Sequence, residues 1–157
     1  VWIPYKVAFE FAGATTAICI AEFTPADDIP MIVTDISIKV TSEVQEAQEE
    51  WLEVEFQRGG TAMTTGNGSA ATPSPDTPKL PAASTTVETG GTTLPTYTSG
   101  TTPWRDAFNV RAGGEWHFTP ETVLGCTQGN GGCDIRLPNA PTDAIDIKGT
   151  IDFAEWL

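Results

Sequence analysis

The chain has 157 residues, 39% of them hydrophobic, with five Trp, two Tyr and seven Phe. That length fits one domain, and such a domain buries about 70% of its unfolded surface, enough for a core that needs no disulfide scaffold. Eight Lys and Arg against 21 Asp and Glu give a net charge of −13, which repels phosphate backbones and anionic lipid, so neither nucleic acid nor a membrane surface is an expected partner.

The acids are concentrated early: residues 1–58 hold 11 of them and three basic residues. The chain opens at Val1 without a basic stretch leading into an apolar core, and its longest apolar run falls far short of the ~20 residues of a membrane span. A soluble protein is therefore expected.

Tyr5 to Phe11 alternates with the two-residue period of a strand, placing Tyr5, Val7, Phe9 and Phe11 on one face. After Gly13, Ile18 to Phe23 reads as a second strand, and Thr24-Pro25-Ala26-Asp27-Asp28 reads as a loop. Met31 to Val40 alternates again. Ile32, Ile36, Ile38 and Val40 are expected on one side, Asp35 and Lys39 on the other, with Thr34 interrupting the apolar set.

Ser42 to Glu50 has helical propensity but no apolar stripe, and is expected to be an acidic loop or a single turn. In Trp51 to Arg58, Leu52, Val54 and Phe56 alternate with Glu53, Glu55 and Gln57, predicting a strand whose acids lie on a hydrated face. From Thr61 to Pro103 the composition turns to Thr, Pro, Ser, Gly and Ala. Lacking periodic apolar residues, this excursion is expected to lie along its own domain or along neighbouring subunits.

Strand patterns resume at Trp104 to Val110, Glu115 to Thr119, Thr122 to Gly125 and Asp134 to Leu137. The last runs from Ala144 to Phe153, with Ile145, Ile147, Gly149, Ile151 and Phe153 on one face and Asp146, Lys148, Thr150 and Asp152 on the other. Roughly eight strands with short turns predict an all-β fold, an antiparallel, jelly-roll-like β-sandwich. Residues 1–157 form a single domain in this reading, with 61–103 as an extended loop or arm.

Little in the chain points to catalysis. His117 is the one histidine, and its place between Trp116 and Phe118 points it away from their shared face, as a structural residue. No Gly-x-Ser-x-Gly elbow and no phosphate-cradling glycine loop is present. Paired carboxylates of a glycosidase remain formally open through Glu53 and Glu55, or Asp146 and Asp152, but these read as hydrated sheet surface. Asp27-Asp28 and the Glu43 to Glu50 run lack the spacing of a calcium loop. No catalytic residue, cofactor or metal is expected.

Of three cysteines, Cys19 reads as a small buried hydrophobe within Ala17-Ile18-Cys19-Ile20. Cys126 and Cys133 flank Thr-Gln-Gly-Asn-Gly-Gly, a loop flexible enough to bring them together, either as a disulfide or as two free thiols. Trp2, Tyr97, Trp104 and Trp156 are candidate partner-contact residues, because exposed aromatic rings anchor subunit contacts or stack on sugars.

The order of features resembles the small capsid decoration, or cement, proteins encoded near the capsid genes of tailed bacteriophages. The residues that carry the resemblance are Glu46-Ala47-Gln48-Glu49-Glu50 before a strand ending Arg58-Gly59-Gly60; the excursion from Gly66-Asn67-Gly68-Ser69 to Pro81; Asp106 to Gly113; Thr119-Pro120-Glu121; and Leu137 to Ala144. The Cys126 to Cys133 loop and the closing Ala154-Glu155-Trp156-Leu157 depart from that pattern. The resemblance implies a β-sandwich on the outer capsid surface of a virion, assembled in the host cytoplasm as a dimer or trimer that bridges subunits of the major capsid protein. It supplies no catalytic residues. The competing expectation is a carbohydrate-binding or receptor-binding module, such as a head-fibre domain.

Overall fold

The first and last strands of the chain lie side by side. In the computed structural model, which describes residues 1–42, 50–119, 121–122 and 124–157, β1 (Trp2–Ala14) runs antiparallel to β14 (Ile145–Trp156), from Trp2 opposite Trp156 to Phe11 opposite Ile147. Alternation turns Tyr5, Val7 and Phe9 inward with Ile147, Ile151 and Phe153, all buried. The expectation for Ser42 to Glu50 falls largely on residues 43–49, outside the described residues.

Further strands build outward from this pair. Sheet A adds β3 (Met31–Val40) beside β14, then β11 (Gly114–His117) and β12 (Leu124–Cys126), which pair in turn with β3. In sheet B, β2 (Ile18–Thr24) pairs with β13 (Cys133–Leu137), β13 with β4 (Trp51–Arg58), and β4 with β10 (Thr101–Asn109). All ladders are antiparallel. Counting β11 and β12 as one broken strand, first pairs with last, second with second-to-last, third with third-to-last and fourth with fifth. That nesting is the jelly-roll arrangement of two packed sheets.

The core lies between the sheets. The Phe153 ring stacks on Tyr5 with centroids 5.5 Å apart and takes Phe23 of the opposite sheet edge-on at 5.4 Å. Each such side chain contributes about 1.5–3 kcal/mol by leaving water. Toward the far edge, Trp104 on β10 meets Trp116 at 5.5 Å and Phe118 at 5.3 Å, closing the gap between the sheets.

One strand departs from its predicted phase. Asp152 lies opposite Asp35 but Phe153 lies opposite Val33, so Thr34 is an extra residue in β3. A bulge of this kind reverses the alternation. Met31 and Val33, not Ile32, therefore join Ile36 and Ile38 in the core, while Ile32 is half-buried.

The excursion is folded onto its own domain. β7 (Ser74–Pro75) adds to the edge of sheet A beside β1. β8 (Thr86–Gly91) and β6 (Ser69–Ala71) extend sheet B beyond β2. β5 (Ala62–Thr64) and β9 (Thr96–Thr98) form a separate two-stranded ribbon. Glu155 tethers the middle of the excursion, accepting hydrogen bonds from the backbone N–H of Thr85 at 2.5 Å and Ser84 at 3.1 Å.

Candidate functional site

Two surfaces carry chemistry, one on the outside of each sheet. On sheet A the outward residues of β1 and β14 begin with Trp2 and Trp156, directly opposed in the ladder. Their rings meet edge-to-face with centroids 5.3 Å apart and planes 69° apart. They are 39% and 50% exposed, an uncommon degree for tryptophan, and Val1 and Leu157 beside them are exposed as well.

Farther along the same face the surface becomes charged. His117, Asp35, Asp152 and Lys6 form one cross-strand row, and Glu115, Ser37, Thr150 and Ala8 the next. His117 Nδ1 hydrogen-bonds Asp35 Oδ1, and this carboxylate raises the imidazole pKa above its ordinary 6.5. Lys6 bridges Asp76 at 3.2 Å and Asp152 at 3.4 Å. The first row and its neighbours Glu115, Ser37 and Thr150 line a shallow depression of ≈ 250 Å³.

The outer face of sheet B is covered over β2 and β13, where Glu22, Asp134 and Arg136 are buried, as is Glu55 on β4, while Glu53 and Arg105 stay exposed. Arg136 Nε and Nη2 donate to Asp134 at 2.8 and 2.7 Å, and Nη2 also donates to the Pro95 carbonyl at 2.9 Å. The Tyr97 hydroxyl donates to the same aspartate, and its ring lies 5.9 Å from the guanidinium carbon of Arg136. Glu22 accepts the Gly66 N–H at 2.9 Å, and Glu55 is held by Arg105 and Gln57 at 3.1 and 2.6 Å. Burial pushes the Glu22 carboxyl above its ordinary range, partly offset by the Gly66 N–H. Burial and the neighbouring Asp134 push the Tyr97 phenol and the Cys19 thiol well up, so neither ionises near neutrality.

The structure sorts the four aromatic candidates into two kinds. Trp2 and Trp156 come together on an open face. Tyr97 does not, because its hydroxyl turns into the Asp134 and Arg136 cluster, and Trp104 does not, because its ring is half-buried against Trp116 and Phe118. Trp51, not among the candidates, is the most exposed tryptophan at 65%. Its signal was its place at the start of β4, out of phase with Leu52, Val54 and Phe56.

Glu55 corrects the expectation of a hydrated acidic face: it is buried, 4% exposed, because Arg105 and Gln57 close over it. Cys126 and Cys133 form a disulfide with Cα atoms 6.3 Å apart. It links β12 of sheet A to β13 of sheet B. Among the described residues no group of three or more His, Cys, Asp or Glu is arranged to hold a metal ion, and no helix is long and apolar enough to cross a membrane. Comparison with known family models, with curated proteins and with solved structures finds no match to this chain.

Proposed function

We propose that this chain is a structural virion protein that decorates the outer surface of a phage capsid, docking through the Trp2 and Trp156 edge of sheet A onto the major capsid protein. The exposed aromatic pair carries the reading. Two tryptophans placed side by side at one end of a charged sheet face lose apolar surface to water, a cost that a docked partner removes. Supporting it are the jelly-roll sandwich, an order of sequence features that resembles that of capsid decoration proteins, and a net charge of −13 that favours encounter with a basic patch. A dimer or trimer would present several such edges to neighbouring capsid subunits and gain by multivalency.

The competing reading is a carbohydrate-binding or receptor-binding module, and it uses the same two rings. Their planes stand 69° apart, so they do not form one flat platform for a sugar face.

The test is cosedimentation with capsid shells that lack the protein. Saturable uptake is expected, and the Trp2→Ala, Trp156→Ala double variant, folded by circular dichroism, should bind at least ~30-fold more weakly, as loss of a hot-spot side chain does. Wild-type protein that ignores the shells, or a double variant that binds them as well as wild type, overturns the proposal. A glycan-array signal lost in that variant would instead establish the competing reading.

A further inference from the structure

The excursion is held in two different ways. Its middle belongs to the core: Val87 is part of the buried apolar cluster, and Ala71 and Ala83 pack against it. Its flanks, residues 61–68 and 92–100, give that cluster no side chain. These flanks contain β5 and β9, a two-stranded sheet that stands alone. Such a ribbon is marginal in water without an apolar face to bury.

What fastens the ribbon to the domain is largely polar, with buried Pro95 and half-buried Met63 and Leu94 adding apolar surface outside the main cluster. Tyr97 donates to Asp134, Arg136 to the Pro95 carbonyl, the Gly66 N–H to Glu22, and Asn130 Nδ2 to the Gly59 carbonyl at 2.9 Å. Contacts to buried charges return little net free energy, because opening lets Asp134, Arg136 and Glu22 regain water as the bonds are lost. Glycines bound both flanks: Gly59-Gly60, Gly66 and Gly68 on the first, Gly90-Gly91 and Gly100 on the second. A chain with glycine at these points changes its backbone angles at low steric cost.

We propose that the β5–β9 ribbon is a strap that opens and closes on the otherwise folded sandwich, hinged at these glycines and uncovering the floor of Glu22, Asp134 and Arg136. β8 stays paired with β2 from Thr86 to Thr89 when the strap lifts, since Val87 keeps its place in the core, and only its closing Gly90-Gly91 turns. The motion is local unfolding drawn from the low end of the stability range. It is independent of the docking edge on sheet A, which lies on the other sheet.

Cys19 reports the motion. Its thiol is free and buried, 3.8 Å from the Asp134 carboxylate that also holds Tyr97, whereas Cys126 and Cys133 are paired. In the oxidised full chain, labelling of Cys19 by Ellman's reagent is followed across sub-denaturing urea. Amide hydrogen exchange at Met63 and Tyr97 is compared with that at Ile20 and Ile135. Labelling and ribbon exchange are expected to share one opening with a weak urea dependence, far more frequent than global unfolding. Tyr97→Phe should speed labelling by about tenfold, the loss of a hydrogen bond to a charged group, with a much smaller change in the global midpoint. Labelling and ribbon exchange that carry the full urea dependence of global unfolding overturn the strap, as does a Tyr97→Phe rate change no larger than its effect on global stability. If that variant does not fold, the wild-type exchange comparison decides alone.

Discussion

Arg136 and Asp134 stand two residues apart on β13 and grip each other through two hydrogen bonds on the covered face of sheet B. Both side chains are buried, at 8% and 0% exposure. A buried ion pair adds little over an apolar pair of the same size, yet removing one partner strands a charge. Asp134→Ala should therefore destabilise the fold by about 3–5 kcal/mol, while Asp134→Leu with Arg136→Met should recover most of that loss. Urea unfolding of the three proteins checks it; a single variant as stable as wild type would sink the argument.

This pair also marks where the sequence was legible and where it was not. Strands with one face in the core, β1 and β14 above all, declare themselves through alternation, which turns Tyr5 and Phe153 inward; that these two lie opposite each other is seen only in the structure. In Cys133-Asp134-Ile135-Arg136-Leu137 the alternation puts Asp134 and Arg136 on one face but does not tell whether that face is solvated, because local periodicity holds no information about a distant segment that covers it. The arm that covers it shows only one aromatic among Thr, Pro and Gly, and Tyr97 is the residue that reaches down. The bulge at Thr34 was hidden for a related reason: one polar residue in an apolar run does not say whether the strand tolerates it or turns around it.

Glu22 is the titrating group to examine under the strap. Its folded pKa is raised by burial, with Glu88, Asp134 and Arg136 as its charged neighbours. Raised means that the fold holds the proton more tightly than the unfolded chain does. The stability it contributes is complete below the ordinary value of 4.5 and is lost as pH rises through the folded value. Glu22→Gln keeps an acceptor for the Gly66 N–H without the charge, so its stability relative to wild type should be greatest at neutral pH and decline on acidification to pH ~4. Paired denaturation curves at the two pH values give the sign directly, and an advantage that grows toward acid contradicts it.

On the open face, the His117 imidazole should titrate above 6.5, because the Asp35 carboxylate favours its cation. The contribution of this contact to folding is present below the unfolded value and lost as pH rises through the folded one. An NMR titration of the His117 ring protons measures the midpoint. Asp35→Asn should bring it down toward 6.5, and a midpoint indifferent to that substitution would mean that the carboxylate is not the cause.

Gly149 faces inward from β14, where Phe9 lies opposite it in the ladder. A Cβ there would collide with the Ser37 carbonyl oxygen of β3 and come within 2.7 Å of the Phe9 ring. Neither neighbour is free to move, since the carbonyl belongs to the β3–β14 ladder and the ring to the core. Gly149→Ala should therefore cost more than the ~1–3 kcal/mol usual for an overpacked core, because backbone as well as side chain must shift. The companion Phe9→Leu, Gly149→Ala variant relieves only the ring and should remain well below wild type in thermal midpoint. Full rescue by Phe9→Leu would show that the ring alone, and not the spacing between β3 and β14, requires the glycine.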